Sequence, residues 1–265
     1  MEKLLPYENA KIFFRIEGKG RPVVLIHGFG EDGTIWNEQV SFLKKDFRII
    51  IPDIPGSGGS SVISYESTID QYAECIKAVL EFEQITTCSM IGHSMGGYIT
   101  LAFGEKYPGY LKSLGLFHST AYPDNEEKKS ARRKSIEIIR QYGAYPFLQQ
   151  SIPNLFSENF KKQNQQIVNG LIERYKNFDP KSLISYYEAM IRRPERISVL
   201  EKFQGAILFI IGEQDKAVPI EQSLKQSHIP SLSYVHLLQD AAHMGMLENI
   251  SKSNFFLKNF LDETA

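Results

Sequence analysis

Three side chains in this sequence are of the types that together make a serine nucleophilic: Ser94, Asp215 and His243. A serine hydroxyl attacks a carbonyl poorly until an imidazole takes its proton, and the imidazole needs a carboxylate to fix its tautomer and stabilise its cation. Ser94 lies in Gly92-His93-Ser94-Met95-Gly96. This G-x-S-x-G spacing fits a strand that ends and a helix that starts in one tight turn, with the serine pushed forward. Gly92 and Gly96 are then steric requirements, because β-carbons there would collide, and the backbone at the serine is strained. Taken alone the pentapeptide also reads as a flexible glycine loop, an aspartate before a turn is usually a cap, and a histidine after a strand more often packs. The surrounding elements decide between these readings.

Residues 22–27 and 47–51 are nearly all apolar, as strands buried on both faces of a parallel sheet are. Residues 86–91, ahead of Gly92, and 111–118 continue the series. Between them, Ile69, Tyr72, Ala73, Ile76, Val79 and Leu80 keep helical spacing, and a second helix is expected over 98–107, ended by Pro108-Gly109. Residues 11–17 alternate loosely before Gly18-Lys19-Gly20 and are expected as an edge strand. Strand, helix, strand, helix implies an α/β fold with a mostly parallel, doubly wound sheet and right-handed crossovers. The sheet resumes at 206–211, running into Gly212-Glu213-Gln214-Asp215, and at 232–238, leading to His243; a last helix covers 249–261. Loops after the strand C-termini of such a sheet share one edge, where ligands bind, and Ser94, Asp215 and His243 all fall on it. His118 ends a strand on that edge and is expected to line the pocket. His27 and His93 belong to glycine-rich motifs as packing or loop residues, His236 lies in a strand and His228 near a helix end.

Character changes at Tyr122. From 122 to 196 the pattern is helical, interrupted at Pro146, Pro153 and Pro180, so the chain divides into a core of 1–121 and 197–265 and an inserted helical segment. The insertion holds 14 Lys or Arg against 9 Asp or Glu, and the rest of the chain 16 against 22. It is also rich in aromatic residues, of which Tyr122, Tyr145, Phe147 and Tyr186, with Met244 beside His243, are expected to shape an apolar pocket. These rings equally suit packing of the insertion onto the core. Lys128, Lys129, Arg132, Arg133 and Lys134 read as a solvated helix face or as a basic wall for a carboxylate-bearing substrate.

Gly28-Phe29-Gly30-Glu31-Asp32-Gly33 is a literal G-x-G-x-x-G after a strand, and Asp53 follows 20 residues beyond Gly33, as in dinucleotide-binding folds. Electrostatics argue against that reading. Glu31 and Asp32 would set two carboxylates at the helix N-terminus where a pyrophosphate needs positive potential, and the same acids suit helix capping. No cofactor is expected. Cys75 and Cys88 lack metal-ligand spacing, and no metal is expected either. At 265 residues, with 42% hydrophobic and 23% charged residues, the chain reads as an ordinary folded protein. Its net charge of −1 gives no general pull toward nucleic acid or anionic membrane, which leaves small molecules as the expected partners. No run approaches the ~18 apolar residues of a membrane span, and the charged N-terminus lacks the apolar region of a signal peptide, so a cytoplasmic location is expected.

Four blocks together carry a resemblance: His27-Gly28-Phe29-Gly30, Asp53 through Ser60, Gly92 through Gly97, and Gly212 through Asp215 with His243 after it. Over nearly its whole length the chain resembles the α/β-hydrolase fold family, whose chain order is nucleophile, acid, histidine. The resemblance implies Ser94 as nucleophile, His243 as base, Asp215 as its partner, and an oxyanion hole from the backbone N–H groups of Phe29 and Met95. It also implies that 122–196 is the family's cap. Serine at the nucleophile position sets the chain apart from relatives that use aspartate there. One departure is visible: many relatives carry an acid and then proline after the histidine, whereas here Glu248 is followed by Asn249. The implied activity is carboxylesterase-like (EC 3.1 class) cleavage of a small to medium, largely apolar ester or thioester through an acyl-enzyme. Two alternatives stand beside it: a carbon–carbon bond hydrolase or lyase using the same triad on a carboxylate-bearing substrate, and a hydrolase-like ligand receptor.

Overall fold

The computed structural model describes residues 1–264. Eight strands, β1 (Glu2–Tyr7), β2 (Ala10–Glu17), β3 (Arg21–Ile26), β4 (Phe47–Pro52), β5 (Cys88–His93), β6 (Leu111–Phe117), β7 (Ala206–Gly212) and β8 (Ser233–Leu238), form one sheet. Their order is β1-β2-β4-β3-β5-β6-β7-β8. β2 pairs antiparallel with β1 and with β4, and every pairing from β4 to β8 is parallel. This is the mostly parallel, doubly wound sheet that the sequence predicts. The strand order reverses at β3, so the loops leaving β3 and β5 diverge and leave a crevice at the sheet's C-terminal edge.

Residue choice explains the layers. Every side chain of β5 and β7 is buried, in keeping with their unbroken apolar character and central place. The helices Ile69–Phe82 and Met95–Lys106 cover one face with Tyr72, Ile76, Ile99 and Phe103. Asn37–Leu43 and Ile250–Thr264 cover the other through Leu43, Leu257 and Phe260, with Trp36 beside them. Each such side chain, fully withdrawn from water, contributes about 1.5–3 kcal/mol. A capping box at Thr68, whose side chain accepts from Gln71 N while the Gln71 side chain accepts from Thr68 N, starts the first of these helices.

One expectation is corrected: residues 11–17 are not the edge. β2 lies one strand in, and the edge is β1, whose only buried side chain is Leu5. An edge strand exposed on most positions, with Pro6 in it, carries little periodic apolar signal.

Between β6 and β7 the regular structure is helical, from Glu126–Tyr142 through Pro180–Arg192 to Ile197–Lys202. The prolines start helices here. Pro180 is the first residue of its helix, and Asp179 caps it by accepting from Lys181 N (3.2 Å) and Ser182 N (3.1 Å). Tyr186 packs this helix onto the sheet side, edge-on to Tyr72, its hydroxyl donating to Pro55 O at 2.9 Å. At the segment's end the buried Arg196 guanidinium bridges Asp70 (2.7 Å) and Glu105 (3.0 Å) on the two covering helices.

Candidate active site

The turn after β5 holds Ser94 at φ 51° and ψ −114°, and the helix Met95–Lys106 begins at the next residue. A β-carbon on Gly92 would lie 2.1 Å from Gly96 O, and one on Gly96 would lie 2.4 Å from Ile26 O, so both glycines are obligatory. The strained serine is pinned by its own backbone. Its N–H donates to Phe117 O (3.0 Å), and its carbonyl accepts from Gly97 N (2.9 Å) and Ser119 Oγ (2.7 Å). Among the described residues the N–H groups of Phe29 and Met95 donate no hydrogen bond.

Asp215 follows β7, with its carboxylate buried. Oδ1 accepts from the N–H groups of Ala217 (2.8 Å) and Val218 (3.0 Å), and Oδ2 accepts from His243 Nδ1–H at 2.8 Å. Burial works against its charge, but the His243 and His118 rings beside it outweigh burial and hold the carboxyl well below the usual range. His243 is held by its N–H, which donates to Leu155 O (2.9 Å). With Nδ1 committed to Asp215, Nε2 is the ring nitrogen left to exchange a proton. Ser94 and His243 line one cavity of about 150 Å³, together with Phe29 from the β3 loop and Lys128, Arg132 and Tyr187 from the helical segment. A smaller cavity of about 80 Å³ continues past Phe29 and Tyr187 to Met244 and Leu148.

A second buried pair belongs to the same wall. Glu31 folds back to accept from Gly28 N (2.8 Å) and from His93 Nδ1–H (3.0 Å), and His93 Nε2–H donates to His243 O (3.0 Å). Burial disfavours both charges, yet each partner favours the other's, so the His93 imidazole is raised and the Glu31 carboxyl lowered. Both ring nitrogens thus act as donors, and an imidazolium braces the backbone of His243. Of the two acids expected to cap the following helical turn, only Asp32 does so, accepting from Thr34 N at 2.9 Å. Asp53 spends Oδ1 on Gly33 N (2.8 Å) and Oδ2 on Gly59 N (2.8 Å), tying two loops together.

The six expected pocket residues divide. Met244 lines the smaller cavity. His118 is buried behind Asp215: its Nδ1 sits between Gly212 N (3.1 Å) and Asp215 Oδ2 (3.4 Å), and Nε2 accepts from Gly245 N (3.2 Å). Burial pushes its pKa down to about 4, so the ring is neutral. Tyr186 and Phe147 are buried in packing, Phe147 edge-on to Phe29. Tyr145 donates to Glu173 at 2.6 Å near the surface, and the Tyr122 ring lies under Lys225. Neither lines the two cavities.

Tyr98 lines the cavity without any sequence signal for it, whereas Tyr187 comes from the insertion's aromatic set and Lys128 and Arg132 from the basic set read as a solvated face or a wall. Tyr187 stacks on Phe29 at 4.2 Å between centroids, one position past Tyr186 and therefore on the neighbouring helix face. For the cations a signal existed. Lys128 and Arg132 stand four apart, in register with the buried Ile136 and Ile139, whereas Arg133 and Lys134 are exposed.

The family model for the alpha/beta hydrolase fold matches residues 21–250. Uncharacterised proteins of Mycobacterium bovis and Mycobacterium tuberculosis are 34% identical over 103 residues, which is 39% of this chain, and the match spans only 30% of their length. Lipase 3 of a Moraxella species is 25% identical over 253 residues, 92% of this chain and 78% of the lipase. Among solved structures, a malate-bound thermophilic esterase from Thermogutta terrifontis superposes with a TM-score of 0.93 at 26% identity, over 100% of this chain and 99% of that one. A family match across most of the chain, on a sheet of this order, places the protein in the alpha/beta hydrolase fold family.

Proposed function

We propose that the protein hydrolyses carboxylic esters, or thioesters, through an acyl-enzyme on Ser94. The observation that carries this reading is the 2.8 Å bond from His243 Nδ1–H to a buried, ionised Asp215, with His243 facing the same cavity as a serine held in a strained turn. Ser94 Oγ attacks the substrate carbonyl as His243 Nε2 takes its proton, and Asp215 stabilises the resulting imidazolium. The carbonyl oxygen, now anionic, is received by the N–H groups of Phe29 and Met95. One such donor accounts for about 10²–10³ in rate. Collapse of the adduct breaks the bond to the leaving group, which departs with the proton from His243. Water, deprotonated by the same histidine, then releases the acid and restores the serine.

Residues 122–196 act as the cap in this reading, their helices supplying Lys128, Arg132 and Tyr187 to the roof of the cavity. Similarity to a lipase and to an esterase supports ester cleavage over the carbon–carbon and receptor alternatives. The reading is tested by turnover of p-nitrophenyl butyrate alongside labelling with a fluorophosphonate probe. Wild-type protein reacts in both assays, and Ser94→Ala in neither; equal behaviour of the two proteins sinks the proposal.

A further inference from the structure

The roof of the cavity carries more positive charge than it neutralises. Asn125 caps the helix Glu126–Tyr142 by accepting from Lys128 N, which starts the helix where Lys128 and Arg132, one turn apart, point inward. Behind them lies Asp124, with its side chain fully buried. Oδ2 of Asp124 accepts from Arg132 Nε (2.6 Å), Oδ1 accepts from Arg193 Nη2 (3.0 Å), and Lys128 Nζ lies 3.9 Å from Oδ1. Three cations thus share one carboxylate.

Their remaining donors are unevenly committed. Arg193 also bonds to Met190 O (2.8 Å) and Tyr122 O (3.0 Å), and its Cζ lies over the Tyr98 ring at 3.9 Å from the centroid, so it is a structural member of the cluster. Arg132 uses Nε and Nη2 on Asp124 and leaves Nη1 without a partner among the described residues. Lys128 donates once, to Ala217 O at 2.7 Å, and keeps further ammonium protons. The Tyr98 hydroxyl has no hydrogen-bond partner among the described residues, and the three cations outweigh burial to hold its pKa below the ordinary phenol value. Lys128, Arg132 and Tyr98 all line the cavity that Ser94 and His243 share. The one other acid on that wall, Glu31, is already matched by His93. Charge of one sign in a partly dry pocket is unfavourable until an anion enters it. Phe29, Tyr187 and Met190 give the rest of the wall apolar character, suited to a short hydrocarbon spacer.

We propose that the substrate is an ester bearing a free carboxylate, which binds against Lys128, Arg132 and Tyr98 while the ester carbonyl reaches Ser94. A short dicarboxylic hemiester or a carboxylate-bearing lactone has this form. The inference rests on the ester-hydrolase reading and narrows it to one substrate class.

The test compares methyl hemiesters of succinate, glutarate and adipate with neutral methyl esters of equal chain length, by proton release in a pH-stat. Wild-type kcat/KM favours the hemiesters, and that preference weakens as salt is added. Loss of one charge-assisted contact in Lys128→Met lowers the ratio of hemiester to neutral ester by about tenfold or more. Lys128→Arg restores most of it. Binding is read separately on the unaltered protein: free glutarate slows labelling of Ser94 by a fluorophosphonate, and 1,5-pentanediol does not. A wild-type preference for neutral esters, a ratio unmoved in Lys128→Met, or no protection by glutarate overturns the carboxylate site while ester turnover stands. Absence of both turnover and Ser94 labelling overturns the ester-hydrolase reading and this inference with it.

Discussion

Ser94→Gly is predicted to make the protein more stable while abolishing its activity. At φ 51° and ψ −114° the serine occupies backbone space that a residue with a β-carbon rarely adopts, a strain of about 1–3 kcal/mol. Glycine relieves it. Against that gain stands the greater freedom of glycine in the unfolded chain, about 0.5–1 kcal/mol relative to alanine. The hydrogen bonds that pin the position use its N–H and carbonyl, which every substitution but proline keeps. The balance is a gain of roughly 0.5–2 kcal/mol for Ser94→Gly over Ser94→Ala, or about 1–6 °C in melting temperature for a chain of this size. Ser94→Ala is the right reference, because it removes the same hydroxyl and keeps the strain. Urea unfolding followed by the fluorescence of Trp36, the single tryptophan and fully buried, measures both variants. A Ser94→Gly protein no more stable than Ser94→Ala refutes the claim that the turn stores strain to present the hydroxyl.

Two further predictions concern the groups behind the serine. Asp215→Asn keeps an oxygen for the Ala217 and Val218 N–H groups but offers an amide to His243 Nδ1, which stabilises the wrong tautomer; kcat should fall by about 10³–10⁴ with the fold intact by circular dichroism. His118 is held at about 4 against an ordinary 6.5, so below pH 6.5 the unfolded chain binds the proton first and stability falls as pH drops from 6.5 toward 4. From pH 7 to 5 this one group removes about 2 kcal/mol, and His118→Asn should lose correspondingly less over that interval; parallel slopes in urea titrations would contradict it.

The geometry of the candidate site is legible because steric necessity writes it into residue type. Only glycine fits at 92 and 96, and Asp215 follows a strand whose unbroken apolar run announces burial, whereas His243 follows β8, a half-exposed edge strand. The parallel order of those strands by itself implies a shared edge. The sequence could not show how the inserted helices rotate against that edge. Tyr186 and Tyr187 are adjacent and chemically identical, yet one packs beneath Pro55 while its neighbour stacks on Phe29 in the cavity wall. That choice depends on docking helix Pro180–Arg192 to distant parts of the chain. From its neighbours Glu31 reads as a cap, whereas its partner is His93, brought to it only by β3 and β5 lying side by side. His118 was placed on the correct edge but on its inner side, a distinction set by the left-handed backbone at that residue, φ 50°.

The central claim is that Ser94 is a nucleophile activated by His243. Its most direct measurement is the rate of fluorophosphonate labelling, with the modified residue located by mass spectrometry of peptides, in wild type, Ser94→Ala and His243→Ala. A single adduct on Ser94 is expected, formed far more slowly in His243→Ala and absent from Ser94→Ala. An adduct on another residue, or one that forms on Ser94 as fast without His243 as with it, would contradict the account.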